Sequence, residues 1–223
     1  MKIKTLILAS IAALFFSATT ANAQIVDIMQ NNNGRTLDNN PSNGLGNSIN
    51  NASPLVGSFG NNNDIRGVWV FEMTGIDNPA DITTADFSVT NGVAGTPTFD
   101  VSAHVIRTAS TSGLVASDHQ TSAQLLSPTF LTGGTTGSQS LDAAGETTLG
   151  DWLRANWVEG DFVFIGLRAA TNAGDLAANS NNLYNFNDGD GLLSVTVAAV
   201  PEPSSMAFMS LSGLLLVLRR RRS

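Results

Sequence analysis

Several stretches of this chain alternate apolar and polar residues with a period of two, the pattern of half-buried strands. Over residues 65–73, Ile65, Trp69, Phe71 and Met73 share one face, while Arg66, Val68, Val70 and Glu72 share the other. Phe99, Val101, Ala103 and Val105 alternate in the same way with Asp100, Ser102, His104 and Ile106. Residues 162–167 are apolar on both faces (Phe162 and Phe164 against Val163, Ile165 and Leu167), which predicts a central strand. Residues 192–198 read as a last strand, and 87–90, 125–131 and 138–141 as shorter ones. Turn signals separate them: Asn91-Gly92, Gly133-Gly134 and the run 187–191. One helix is expected, capped by Thr148, with Leu149, Trp152 and Leu153 on one face, Arg154 outside, and an end by Gly160. Residues 30–63 are rich in Asn, Gly and Ser and predict loops with one or two short strands. Many short strands between Gly/Asn turns imply an all-β fold, a jelly-roll-like β-sandwich.

The two ends break this pattern. Lys2 and Lys4 precede an apolar run at 6–16 interrupted only by Ser10, and Ala21-Asn22-Ala23 is a small-x-small cleavage site. This predicts a signal helix over residues 1–23, with the mature chain starting at Gln24. At the other end stand Pro201-Glu202-Pro203, an almost wholly apolar segment at 206–218, and Arg219, Arg220, Arg221 and Arg222. Thirteen residues make about 20 Å of helix at 1.5 Å per residue, against a bilayer core about 30 Å thick. The expected helix over 205–218 is thus a short transmembrane segment that thins the bilayer or lets its arginines snorkel. Four arginines resist translocation and stay cytoplasmic, which puts everything before Pro201 outside. The two prolines hold the preceding tripeptide extended, where a membrane protease can grip it. The expected organisation is therefore 1–23 signal, 24–199 β-sandwich ectodomain and 200–223 sorting tail.

In that order at that terminus, Pro201-Glu202-Pro203, the short apolar helix and the arginine cluster closely resemble the PEP-CTERM sorting signal of bacterial envelope proteins. The resemblance covers about a tenth of the chain. It implies recognition by exosortase, a multi-pass membrane cysteine protease, removal of the tail near the motif, and a setting in Gram-negative bacteria that make exopolysaccharide. A second resemblance lies within the ectodomain. Ile65-Arg66-Gly67-Val68-Trp69-Val70-Phe71, Ile82-Thr83-Thr84-Ala85-Asp86-Phe87 and Trp157-Val158-Glu159-Gly160-Asp161-Phe162 are similar to the strands of DNRLRE-type domains. That likeness implies a secreted jelly roll related to carbohydrate-binding modules.

Composition narrows what the ectodomain does. It contains no cysteine, so disulfides, thiol nucleophiles and thiolate metal sites are excluded. Once the signal and tail are set aside, five arginines (35, 66, 107, 154 and 168) face seventeen acids, a net charge near −12. Such a surface repels nucleic acid and keeps an exported protein soluble.

Candidate chemistry is sparse. His104 and His119 lack metal-ligand spacing, and His104 falls on the polar face of its strand, where a solvated side chain is expected. Ser117-Asp118-His119 has the residue types of a triad, but sequence neighbours cannot point at one another as a triad must. Asp188 and Asp190 alternate with glycine in residues 185–191, giving a candidate calcium loop beside the simpler reading of a hairpin turn. Trp152 and Trp157 are candidates for stacking on sugar rings. No catalytic residue, and no cofactor beyond that calcium, is expected. The expected function is a non-enzymatic envelope or extracellular matrix protein. It is exported, held briefly in the inner membrane, and processed through its tail by exosortase. The alternative is a carbohydrate-binding protein acting in the exopolysaccharide.

Overall fold

The computed structural model describes residues 23–38, 46–58, 63–92, 97–119, 122–170 and 182–198. The signal segment up to residue 22, the motif Pro201, Glu202 and Pro203, the helix expected over 205–218 and Arg219 to Arg222 lie outside the described residues.

The chain is mostly strand. Its first element is the longest: β1 runs over Gln24–Asp38, fifteen residues that take in the start of the stretch 30–63 expected to be loops with one or two short strands. Asn32 and Asn33 are accommodated because their side-chain amides find partners of their own. Asn32 Nδ2 donates to the Ser112 carbonyl (3.1 Å) and Asn33 Nδ2 to Asp188 Oδ1 (2.7 Å). Asparagine's low strand preference is a weak prior that such tertiary bonds override.

A register shift between Gln30 and Asn32 divides β1 into halves with different neighbours. The first half pairs with β11 (Leu192–Val197), matching Gln24 to Val197 and Met29 to Leu192. The second half pairs with β4 (Asp64–Glu72). A bulge bends its strand, so β1 turns the corner between two parts of one antiparallel sheet. On one side follow β11, β5 (Ile82–Asn91) and β8 (Gly137–Ser140). On the other follow β4, β9 (Phe162–Ala169), β6 (Val101–Ala109) and β7 (Gln124–Leu131). Short strands β2 (Ser48–Asn50), β3 (Leu55–Ser58) and β10 (Leu183–Asn185) lengthen the second part. The sheet curls until it is nearly a barrel. β7 and β8 approach each other, and helix α1 (Ala143–Asn156) packs on β5 and β7 at that gap.

The cap of helix α1 lies six residues before the expected one. Asp142, not Thr148, is its N-cap, accepting from the Gly145 amide at 2.8 Å. Thr148 lies inside the helix, with its hydroxyl bonded back to the Ala144 carbonyl. Leu149 and Leu153 are fully buried, as their spacing predicts. The helix lies so close to β5 that a Cβ at Gly150 would meet Thr84 Cα at 2.7 Å.

The core lies inside the curl. Trp69 and Phe71 of β4, Phe87 of β5 and Phe130 of β7 meet there, with Phe186 edge-on to Trp69 at 5.3 Å. Each such aromatic pair adds about 0.5–1.5 kcal/mol beyond burial. β9 is central, between β4 and β6, and buried on both faces. Val163, Ile165 and Leu167 enter the main core, while Phe164 joins Val68, Val70, Ile106 and Leu114 in a second cluster on the outer side.

Candidate functional site

The outer side of β1, β4, β9 and β6 gathers most of the domain's cationic side chains. Pairing sets the residues in rows. Thr36 is opposite Arg66, and Arg168 opposite Ser102. The next row is Gly34, Val68, Gly166 and His104, and the one beyond it Asn32, Val70, Phe164 and Arg107. The segment after β6 folds back over these rows and ends in a 3-10 turn, Ala116–His119, whose Asp118 and His119 are buried. Gly166 makes room for the Ile106 side chain of β6: a Cβ there would meet Ile106 Cδ1 at 2.7 Å.

Asp118 is held by a forked pair with Arg107, Nε to Oδ1 at 2.5 Å and a second nitrogen to Oδ2 at 3.0 Å, and by the Val115 amide at 2.9 Å. The Arg107 guanidinium carbon lies over the Phe164 ring, 3.7 Å from its centre. Asp64 takes two bonds from Arg66, at 2.9 and 2.7 Å, and Arg66 also donates to the His119 carbonyl. Burial pushes the Asp64 carboxyl up, but the His119 ring beside it and the Arg66 guanidinium outweigh it and hold it below the usual value.

Thr36 Oγ1 lies 3.0 Å from His119 Nδ1, and His119 Nε2 lies 3.2 Å from Asp64 Oδ2, off the line of a hydrogen bond. Hydroxyl, imidazole and carboxylate are thus in sequence, as in a nucleophile–base–orienter set. The hydroxyl has no route to a substrate, since Thr36 is 0% and His119 1% exposed. Here the Thr36 hydroxyl and His119 Nδ1 satisfy one another, and Asp64 is satisfied by Arg66.

His104 is not solvated. It is 4% exposed, because the cover and Ser122 close over the face that its strand turns outward. Its Nε2 lies 2.9 Å from Ser102 Oγ and its Nδ1 2.7 Å from Ser122 Oγ. Ser102 spends its proton on the Arg168 carbonyl at 3.3 Å, which assigns the ring hydrogen to Nε2. Burial, then the charges of Arg168 and Arg66, push the His104 pKa down to about 3, so the ring is neutral at physiological pH.

Other candidate residues are dispersed. Trp157 is 2% exposed, and its Nε1 donates to the Asp161 carbonyl at 2.9 Å. Its ring is part of the core and offers no face to a sugar, which corrects its reading as a stacking platform. The bend that ends α1 turns it inward. Trp152 is partly buried against the same core. Asp188 accepts from Asn33, and Asp190 Oδ2 from Asn187 Nδ2 at 2.7 Å, in a turn where Gly189 has φ +87°. Among the described residues no group of three or more His, Asp or Glu is placed to hold a metal ion. Among them, too, no helix is long and apolar enough to cross a membrane.

The outer cluster was only partly legible beforehand. His104 stood on a face read as solvated, and Arg66 on the face of its strand that carries Val68, Val70 and Glu72. The signal against that reading was the apolar company on those faces, Val68, Val70 and Ile106, which requires a cover.

Residues 199–222 match the family model of the PEP-CTERM protein-sorting motif. This span contains Pro201-Glu202-Pro203 and all four terminal arginines, so the chain carries the sorting motif that its C-terminal pattern resembles. No curated protein matches the chain.

Proposed function

We propose that this is an exported, non-enzymatic protein of the cell envelope or extracellular matrix, delivered and processed by exosortase through its C-terminal tail. The observation that carries the reading is the sorting motif at 199–222. Its basic end and short apolar segment supply a temporary hold in the inner membrane, and Pro201, Glu202 and Pro203 supply the grip for the protease. The small-x-small site before Gln24 supports export. Strand β1 begins at Gln24, so removal of the signal leaves the sheet whole. The non-enzymatic reading draws on the burial of both histidines and on the engagement of Asp64 and Asp118 in ion pairs. We read the curled antiparallel sheet as a variant of the jelly-roll sandwich, because β1 passes from one part to the other and spatial neighbours are far apart in sequence.

Replacing Pro201, Glu202 and Pro203 together by alanine is expected to leave the protein unprocessed at the membrane of a strain that processes this tail. The check is fractionation with an antibody to the ectodomain. Release at the wild-type rate overturns the exosortase reading.

A further inference from the structure

Lys2 and Lys4 are the only lysines of the chain, and both lie in the signal segment. Every basic residue beyond it, in the domain and in the tail, is an arginine or a histidine. Once the signal is removed before Gln24, the α-amine of that residue is therefore the single primary amine the exported chain carries.

Gln24 opens β1, and both it and Ile25 are exposed. Residues 24–29 pair with β11, and β4 joins β1 only from Gln30 onward. The Gln30 amide donates to the Gly191 carbonyl at 3.0 Å, and bonded pairs alternate with non-bonded ones along an antiparallel ladder. In this register Val26 and Val195 form a bonded pair, and Gln24 and Val197 the last one. The terminal nitrogen thus has one ladder bond to lose, and the pairs inward of it keep the strand in place. Cleavage removes the chain before Gln24 and leaves its side chain in water beside the new amine.

We propose, resting on the reading that the signal is cut before Gln24, that this residue is a modification site and closes on itself to a pyroglutamyl terminus. An α-amine has a pKa of about 7.7–8.0, so a sizeable neutral fraction is present near pH 7. The neutral nitrogen attacks Cδ of its own side chain. The N–Cδ bond forms and the Cδ–Nε2 bond breaks. The side-chain nitrogen leaves as ammonia, carrying away one of the amine's protons, and no oxidant or second reactant is consumed. The product has an uncharged terminus and, with no lysine in residues 24–223, no primary amine at all. Carbonyl groups, the open forms of reducing sugars among them, join proteins through amines as Schiff bases. The closed chain offers them no amine.

The test takes protein recovered from its host and labels it in guanidinium chloride with an amine-reactive dye before any digestion. Mass spectrometry then reads the N-terminal peptide. The wild type is expected to take up no dye and to give a peptide that begins at residue 24 and is lighter by one ammonia than its sequence requires. Gln24→Asn is expected to take up one dye per chain, because the shorter side chain would have to close a smaller, strained ring. Processing of the tail does not alter these counts, since the tail has no lysine. Wild-type protein that begins at Gln24 and takes up the dye overturns the inference and leaves the signal reading intact. A terminus at residue 24 blocked by another group overturns it as well, as does a Gln24→Asn chain that excludes the dye. A chain that begins at a different residue overturns both the inference and the signal reading.

Discussion

Strands β4, β9 and β6 turn alternate residues to opposite sides, and different interactions hold the two sides together. Inward, Trp69, Phe71, Val105, Ile165 and Leu167 pack with Phe87 and Phe130 without a charge among them. Outward, Arg66, Arg107, His104 and the acids Asp64 and Asp118 are enclosed beside Val68, Val70 and Phe164. The inner side needs only close packing, and its stability is non-directional. The outer side has taken charges out of water and must pair each one, so its stability depends on individual bonds and on pH. On that side, Arg168 makes no ion pair with a described residue.

Three substitutions separate the two sides, in falling order of effect. Phe87→Ala removes a fully buried ring in contact with Trp69, Phe71 and Phe130 and should cost about 3–5 kcal/mol. Chemical denaturation measures it, and a loss below about 1 kcal/mol would mean that the inner side is loosely packed.

Asp118→Asn weakens the forked partner of Arg107 and leaves that guanidinium uncompensated under the cover. With Arg107 24% exposed, the expected loss is about 2 kcal/mol rather than the full cost of a buried broken pair. A neutral result would place the pair in the class of surface bridges.

The third effect depends on pH. The folded-state pKa of His104, about 3, lies below its unfolded value of 6.5. As pH falls, the unfolded chain takes up the proton first, so the stability His104 contributes is complete above pH 6.5 and is lost progressively towards pH 3. About 2 kcal/mol should be gone at pH 5. The depressed Asp64 carboxyl acts in a lower window, below its unfolded value near 4, where its contribution is lost in turn. Stability measured at pH 7 and pH 5 in the wild type and in His104→Gln isolates the histidine. Parallel pH profiles would contradict its burial in the neutral form.

The inner side was readable from the sequence because period two is all that a packed face demands. The odd positions of residues 65–73, the alternation from Phe99 onward and the doubly apolar run at 162–167 all appear in the structure as strands. The outer side was not readable, because what encloses it comes from elsewhere in the chain. His104 is buried by residues up to eighteen positions away, and no local pattern announces that Ser122 will close over it. The same holds for β1. Its asparagines read as loop, yet Asn33 reaches Asp188, 155 residues on, and the strand is held by such partners and by β4 and β11. Asp142 displaced Thr148 as the cap because the helix extends a turn and a half towards β8, where Ala143 and Ala144 give no apolar signal of their own.

The tail carries the functional conclusion, and the mass of the native protein tests it most directly. Intact mass measurement on protein recovered from the envelope or medium of its host should give a chain that begins at Gln24 and lacks the apolar segment 206–218 and the four arginines. A native chain that still ends at Ser223 would contradict processing through the sorting motif.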